Sequence, residues 1–323
     1  MNASFVTVEN LTKLFPIRRR FFGKAKEFVY AVQNVSFSIK KGTIFGLAGE
    51  SGCGKTTCGK LLVKLLEPTS GMISINSTNI DTLKRQELKQ FRRKVQMIFQ
   101  DPYESINPRL TIFDTIAEPL VVQGIGDLIE REERIREALE MVELIPAEDF
   151  FFRFPHELSG GQRQRVAIAR ALVIGPEFIV ADEPVSMLDA SIRAGLMNLM
   201  LDLKDQLDLT YLFITHDLAV ARYICDEMAV MYLGKIAEIG QTEQIIQSPK
   251  HPYTKALISA VPVPNPRVKR PPPEIKGRVT APINPAPGCR FAPRCPIAQE
   301  ICTKEEPPMV ETGKGHFAAC HFV

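Results

Sequence analysis

The segment Gly49-Glu50-Ser51-Gly52-Cys53-Gly54-Lys55-Thr56-Thr57 follows directly on the apolar run Thr43 to Ala48, and no other part of the chain restricts the fold so tightly. It fits the pattern Gly-x-x-x-x-Gly-Lys-Ser/Thr. In such a loop the glycines let successive backbone N–H groups curl around phosphate oxygens, Lys55 adds a positive charge and Thr56 offers a hydroxyl to Mg²⁺. A helix beginning near Lys55 directs its positive end at the same anion. A glycine-rich turn without a ligand is the plainer alternative, but strand, loop and helix patterns fall in the order that nucleoside triphosphate binding requires.

A second phosphate-seeking element lies at Leu158 to Arg165. Ser159-Gly160-Gly161-Gln162 precedes Val166, Ile168, Ala169 and Leu172, whose helical spacing places the glycine pair at a helix N-terminus. Arg163, Arg165 and Arg170, read alone, fit the solvated face of that helix.

Together these residues resemble the ATP-binding subunits of ABC transporters. The resemblance makes Gly49 to Thr57 the Walker A loop and Leu158 to Gln162 the signature motif. Further matches follow in family order: Phe178 to Asp182 as Walker B, Glu183 directly after it, Ser186 to Asp189 as the D-loop, Gln100 as the Q-loop glutamine and His216 as the switch histidine. Singly, each has a bland reading: Asp182-Glu183-Pro184 as a strand-end turn, His216 as a structural side chain. The resemblance implies ATP bound by Gly49, Ser51, Gly52, Cys53, Gly54, Lys55, Thr56 and Thr57, with Mg²⁺ at Thr56, Gln100 and Asp182. Glu183 would then polarise the attacking water and His216 would hold the γ-phosphate. That division of labour suits phosphoryl transfer, which needs charge neutralisation and an aligned nucleophile more than covalent help. Phe15 is the implied adenine-stacking residue, with Tyr30 as the second aromatic candidate. In the family each ATP is sandwiched between the Walker A loop of one subunit and Ser159, Gly160, Gly161 and Gln162 of another, so a monomer is expected to hydrolyse poorly; Asp189 closes the D-loop.

The implied fold is α/β: a RecA-like P-loop ATPase core of ABC type with an antiparallel β-subdomain, a helical subdomain and a small Cys-rich C-terminal module. The pattern agrees. Phe5 to Val8 and Val35 to Ile39 alternate as half-buried antiparallel strands do. Continuous apolar runs at Ile44 to Ala48, Val95 to Phe99, Phe178 to Ala181, Tyr211 to Ile214 and Met228 to Tyr232 read as a covered parallel sheet. Between Asp101 and Pro176 the pattern is helical, with Leu128, Ile135, Leu139 and Val142 on one face and Glu130/Arg134 and Glu132/Arg136 as i,i+4 pairs. Expected boundaries are 1–100 with 177–250 for the core, 101–176 for the helical subdomain, 251–287 for a helix and Pro-rich linker, and 288–323 for the cysteine module.

Two stretches narrow the resemblance to oligopeptide and dipeptide permease ATPases: Phe99 to Thr111 (FQDPYESINPRLT), where Tyr103 and Arg109 favour the F-type subunit, and His251 to Pro262 (HPYTKALISAVP). The implied activity is ATP hydrolysis coupled to peptide import. The implied partners are a second, related ATPase subunit, two membrane permeases and, indirectly, an extracytoplasmic binding protein; oligosaccharide and nickel importers share the same motifs. A soluble ABC-type ATPase of translation or DNA repair is the reading of another class. One cassette, a net charge of +3 and no basic patch interleaved with aromatics count against a nucleic-acid partner.

No apolar run approaches the roughly 20 residues that span a bilayer. The start Met1-Asn2-Ala3-Ser4 lacks a basic n-region and apolar h-region, so the expected location is the cytoplasmic face of the cell membrane. Arg18, Arg19, Arg20, Lys24 and Lys26 read first as an exposed loop, with contact to anionic lipid headgroups as the alternative.

Past Ala260, prolines at 262, 264, 266, 271–273, 282, 285 and 287 predict an extended connector, made basic by Arg267, Lys269, Arg270, Lys276 and Arg278. Gly288 to Val323 is too short for a self-sufficient core. Four of the seven cysteines lie there, Cys289, Cys295, Cys302 and Cys320, whereas Cys53 and Cys58 belong to the P-loop region and Cys225 to a helical stretch. In a reducing compartment they argue for a metal or cluster rather than disulfides. Their spacing does not choose between the two. The similar tail of peptide-permease ATPases implies a 4Fe-4S cluster, with Zn²⁺, assisted by His316 or His321, and unligated thiols as the alternatives.

Overall fold

The structure, a computed structural model, describes residues 4–17, 27–261, 275, 277 and 281–323. The basic loop from Arg18 to Lys26 and the linker residues Pro262, Pro264, Pro266, Arg267, Lys269, Arg270, Pro271 to Pro273, Lys276 and Arg278 lie outside the described residues. The chain divides into two compact units, one of residues 1–40, 44–81 and 213–323, the other of residues 41–43 and 82–212.

In the first unit, Ser4–Pro16 pairs antiparallel with Phe28–Lys40 on one side and with Ser70–Ile75 on the other, and Thr78–Asn79 completes a four-stranded sheet. The alternation read from the sequence has its cause in burial: Val6, Val8, Val35, Phe37 and Ile39 are buried, and the residues between the last three are exposed. A second sheet sets Ile44–Ala48 parallel to Glu227–Tyr232. All five residues of Ile44–Ala48 are buried, as expected for a covered strand.

The parallel pair then gains an antiparallel edge that the apolar runs do not announce. Lys235–Gln241 pairs with Glu227–Tyr232, and the hairpin Met309–Gly313/His316–Ala319 pairs in turn with Lys235–Gln241. The short cysteine-bearing tail therefore borrows the core of this unit as well as any support from its thiols. Glu238, fully buried, anchors it: its carboxylate accepts from the backbone N–H of Lys250 (2.8 Å) and of His251 (2.9 Å) and lies 2.7 Å from His316 Nε2. Of the connector, the backbone N–H of Tyr30 donates to Pro282 O and that of Phe28 to Asn284 Oδ1, both at 3.0 Å, so its end runs along a strand edge.

In the second unit, Val95–Ile98 is parallel to Phe178–Asp182. The first strand ends one residue before Phe99, which is exposed. Helix Gly160–Leu172 is the centre of this unit, packing against Pro102–Ser105, Ile112–Gln123 and Leu128–Met141. Its arginines are struts rather than a solvated face. Arg163 is buried, with its guanidinium 4.1 Å from the Tyr103 ring; Arg165 pairs with Glu143 at 2.7 Å, and Arg170 with Glu118 at 2.6 Å. The expected face of Leu128–Met141 also needs correction. Ile135, Leu139 and Val142 are fully buried, but Leu128 and Ile129 are 79% and 81% exposed, because packing along this helix begins only past its first turn. The Glu130/Arg134 and Glu132/Arg136 pairs are present at 2.9 and 3.1 Å.

Tyr211, fully buried, carries a hydroxyl with no hydrogen-bond partner among the described residues. An unsatisfied buried hydroxyl costs more than its ring packing requires, so Tyr211→Phe is expected to raise stability by about 1 kcal/mol, read from a denaturation curve.

Candidate active site

In the first unit the glycine loop leads into helix Lys55–Leu62, with Gly54 as its N-cap at φ 109°. The loop is pressed against other backbone. A Cβ on Gly49 would lie well under 3.0 Å from Met231 O, and one on Gly54 equally close to Ala31 O. Only glycine fits these two positions. Gly52 faces open space, and Ser51 is exposed. Lys55, only 4% exposed, donates from Nζ to the carbonyls of Gly49 (2.8 Å) and Glu50 (3.0 Å). A buried ammonium held by two neutral carbonyls is a strong site for an anion, which offers it full charge. Thr56 and Thr57 follow in the first turn of the helix. Cys53 is buried, and burial pushes its thiol up, so it is a packed neutral group and not a nucleophile.

His216 is exposed, directly after strand Thr210–Thr215 and before Asp217, whose carboxylate caps the next helix by accepting from the N–H groups of Ala219 and Val220. Phe15 sits near the end of its strand with Lys13 Nζ 5.3 Å from its ring; Tyr30 has the Arg290 guanidinium at 5.8 Å.

The second unit carries Gln100, Asp182, Glu183, Asp189 and the signature residues. Asp182 is 3% exposed at the end of its strand. Glu183 then takes a left-handed backbone, φ 48°, at a cost on the order of 1–3 kcal/mol that clusters at functional sites. The turn is fixed by Ser186, whose N–H and Oγ both donate to Glu183 O, at 3.2 and 3.0 Å. Gln100 Nε2 donates to Glu183 Oε2 at 3.3 Å, which brings the Q-loop amide and the candidate water-polarising carboxylate together.

Ser159 caps helix Gly160–Leu172: its Oγ accepts from Gln162 N–H (3.2 Å), and Gln162 Oε1 accepts from Ser159 N–H (3.0 Å). The glycine pair packs on the D-loop and the helix after it. A Cβ on Gly160 would be 3.7 Å from Leu188 Cδ2, and one on Gly161 would be 2.7 Å from Ile192 Cγ2. Asp189 is exposed at the N-cap of helix Ala190–Leu207, but its side chain makes no capping bond.

The tail cysteines converge. Cys289, Cys295, Cys302 and Cys320 all line one small cavity with Phe291 and Pro307, and Cys289 N–H donates to Cys302 O at 2.7 Å. Among the described residues no three His, Cys, Asp or Glu side chains are grouped so as to hold a single metal ion. His316 is not a substitute ligand, because it is buried against Glu238 away from that cavity; His321 lines the cavity, with Nε2 3.1 Å from Glu305 O.

Sequence reasoning missed two residues that touch the glycine loop, Tyr253 and Arg294. Both contact Glu50 from more than 200 positions away, and no local pattern encodes such a contact.

Residues 32–186 match the family described as ABC transporter, and residues 237–302 match the family described as oligopeptide/dipeptide transporter, C-terminal region. The oligopeptide transport ATP-binding protein AppF of Bacillus subtilis is 46% identical over 321 residues, covering 98% of this chain and 97% of that protein. Among solved structures, the ATP-binding cassette MJ0796, a dimer in a post-hydrolysis state bound to ADP and Pi, aligns with a TM-score of 0.64 at 33% identity. The alignment covers 73% of this chain and 98% of that one. CbiO1 of Clostridium perfringens, part of the ABC transporter complex cbiONQ, gives a TM-score of 0.64 at 25% identity, covering 76% of this chain and 91% of the other. Among the described residues no helix is long and apolar enough to cross a membrane. The chain belongs to the ATP-binding subunits of ABC transporters, in the oligopeptide/dipeptide permease group.

Proposed function

We propose that this chain hydrolyses ATP to ADP and phosphate to energise peptide import through membrane permease subunits. The observation that carries the reading is the union, in one chain, of the cassette match with the oligopeptide/dipeptide C-terminal region. Each motif has a role. Lys55 and the loop N–H groups bind the β- and γ-phosphates, and Phe15 stacks on adenine. Thr56, Asp182 and Gln100 are hard oxygen donors of the kind Mg²⁺ takes; that ion supplies neutralisation of phosphate charge. Glu183 polarises the attacking water, oriented by its bond from Gln100, and His216 holds the γ-phosphate. Ser159, Gly160, Gly161 and Gln162 act on the nucleotide of a second, related ATPase subunit, so the closed pair exists with ATP and reopens when phosphate leaves. An extracytoplasmic binding protein feeds the permeases, and the ATPase pair sits on their cytoplasmic side.

The test is reconstitution with the permeases and partner ATPase in vesicles. Peptide delivered on the binding protein is expected to stimulate ATP hydrolysis. Stimulation by RNA or DNA instead would move the chain to the soluble ATPases of translation or repair, and stimulation only by oligosaccharide or nickel would change the cargo.

For the tail, the four thiols that line one cavity support a thiolate-bound group; a 4Fe-4S cluster is the reading that the similar tails favour, with Zn²⁺ as the alternative. Its role is structural, supplying stability to a segment too short to supply its own. Anaerobically purified protein is expected to contain iron and acid-labile sulfide, and chelation to lower its melting temperature. Zinc alone, or neither metal, removes the cluster.

A further inference from the structure

Glu50 is the first variable position of the glycine loop, and every polar part of it is held. Its N–H donates to Tyr253 Oη at 2.9 Å, and its carbonyl accepts from Lys55 Nζ at 3.0 Å. Its carboxylate takes both arms of the Arg294 guanidinium, Nη1 to Oε2 at 2.7 Å and Nη2 to Oε1 at 3.1 Å. Arg294 comes from the cysteine-bearing tail, one residue before Cys295, and is 8% exposed. It is itself fixed by Tyr232, whose ring lies 5.7 Å from the guanidinium and whose hydroxyl is 3.4 Å from Nη1. Tyr232, Tyr253 and Phe291 pack on one another with centroids 4.6 to 5.5 Å apart, so the support beneath this bond is a rigid aromatic cluster.

A carboxylate within a phosphate-binding loop is a liability. Left unpaired it repels a triphosphate, and left mobile it loosens the loop whose carbonyls hold Lys55. A planar guanidinium answers both needs, since its bidentate geometry neutralises the charge and fixes the side chain in one orientation. We propose that Arg294 is a positioning residue for the nucleotide loop, neutralising and holding Glu50 so that the cysteine tail sets the affinity for ATP. This rests on the reading of the chain as an ATPase but not on the identity of the group at the cysteines.

The test uses the full chain, fluorescent-ATP binding, KM and kcat in the reconstituted transporter, and a nucleotide-free melting curve. R294M is expected to raise the Kd and KM for ATP about tenfold with kcat changed less than about twofold, because the exposed charge acts on binding rather than on chemistry. R294K, which keeps the charge but loses the fork, is expected to fall between R294M and wild type. The double variant R294M/E50Q removes the stranded carboxylate and is expected to recover most of the lost affinity. A merely structural Arg294 would lower the melting temperature without that recovery. ATP affinity unchanged in R294M, or no recovery in the double variant, overturns the proposal. Should R294M fail to fold, R294K against R294K/E50Q decides by the same comparison. Iron is assayed in parallel. Its absence from a protein that still shows the tenfold effect removes the cluster alone, while wild-type iron with unchanged affinity removes the Arg294 role alone.

Discussion

Glu183→Gln is expected to bind ATP as wild type while turnover falls by about 10²- to 10⁴-fold, the range lost when a group that polarises the reacting water is neutralised. The substitution keeps the size of the side chain, and the amide retains a polar atom for Gln100, now 3.3 Å from the carboxylate. What it removes is the negative charge. The left-handed backbone at φ 48° is equally strained for either residue, so the aim of the side chain is kept and the loss is chemical. Stopped-flow binding and single-turnover hydrolysis separate the two effects, and the ATP-bound pair should persist long enough to isolate by size. Wild-type turnover in this variant removes Glu183 from its role.

Gly54→Ala is expected to cost about 3 kcal/mol or more, and ATP binding with it. Two independent penalties coincide there. The backbone at φ 109° is one that side-chain-bearing residues rarely adopt, and the added Cβ collides with a backbone carbonyl, Ala31 O, which cannot swing aside. For a unit of this size such a loss lowers the melting temperature by roughly 6 to 12 °C. A shift within about 2 °C would mean that the loop does not approach strand Phe28–Lys40 as described.

The glycine loop's strand–loop–helix setting was legible in the sequence because its determinants are local: glycines at 49, 52 and 54 supply backbone freedom, and the apolar strand and the helix on either side supply the mounting. The same holds for the Ser159/Gln162 capping box, where a three-residue spacing dictates the bond. Burial limits what periodicity can give. Leu128 has the right spacing to join the core face with Ile135 and Leu139, yet spacing says nothing about where a neighbouring helix starts to cover it. Long-range pairing is the other limit. The hairpin at 309–319 adds to Lys235–Gln241 through backbone bonds that no side-chain pattern marks, and it relies on Glu238 meeting His316 across 78 positions. Glu50 gives no sign in the sequence of needing Arg294, 244 residues on. The four cysteines were read together as ligands of one group, and they do line one cavity, but their spacing does not say which group that is.

In the proposed mechanism one triphosphate is gripped by the glycine loop of one subunit and the signature helix of another. A photocrosslinking side chain placed at position 159, in the transporter carrying Glu183→Gln, reports on that shared grip. An ATP-dependent crosslink to the partner's glycine loop, lost when ADP replaces ATP, is expected. A crosslink confined to the same chain, or one indifferent to the nucleotide, would mean that the two elements do not share a triphosphate across subunits.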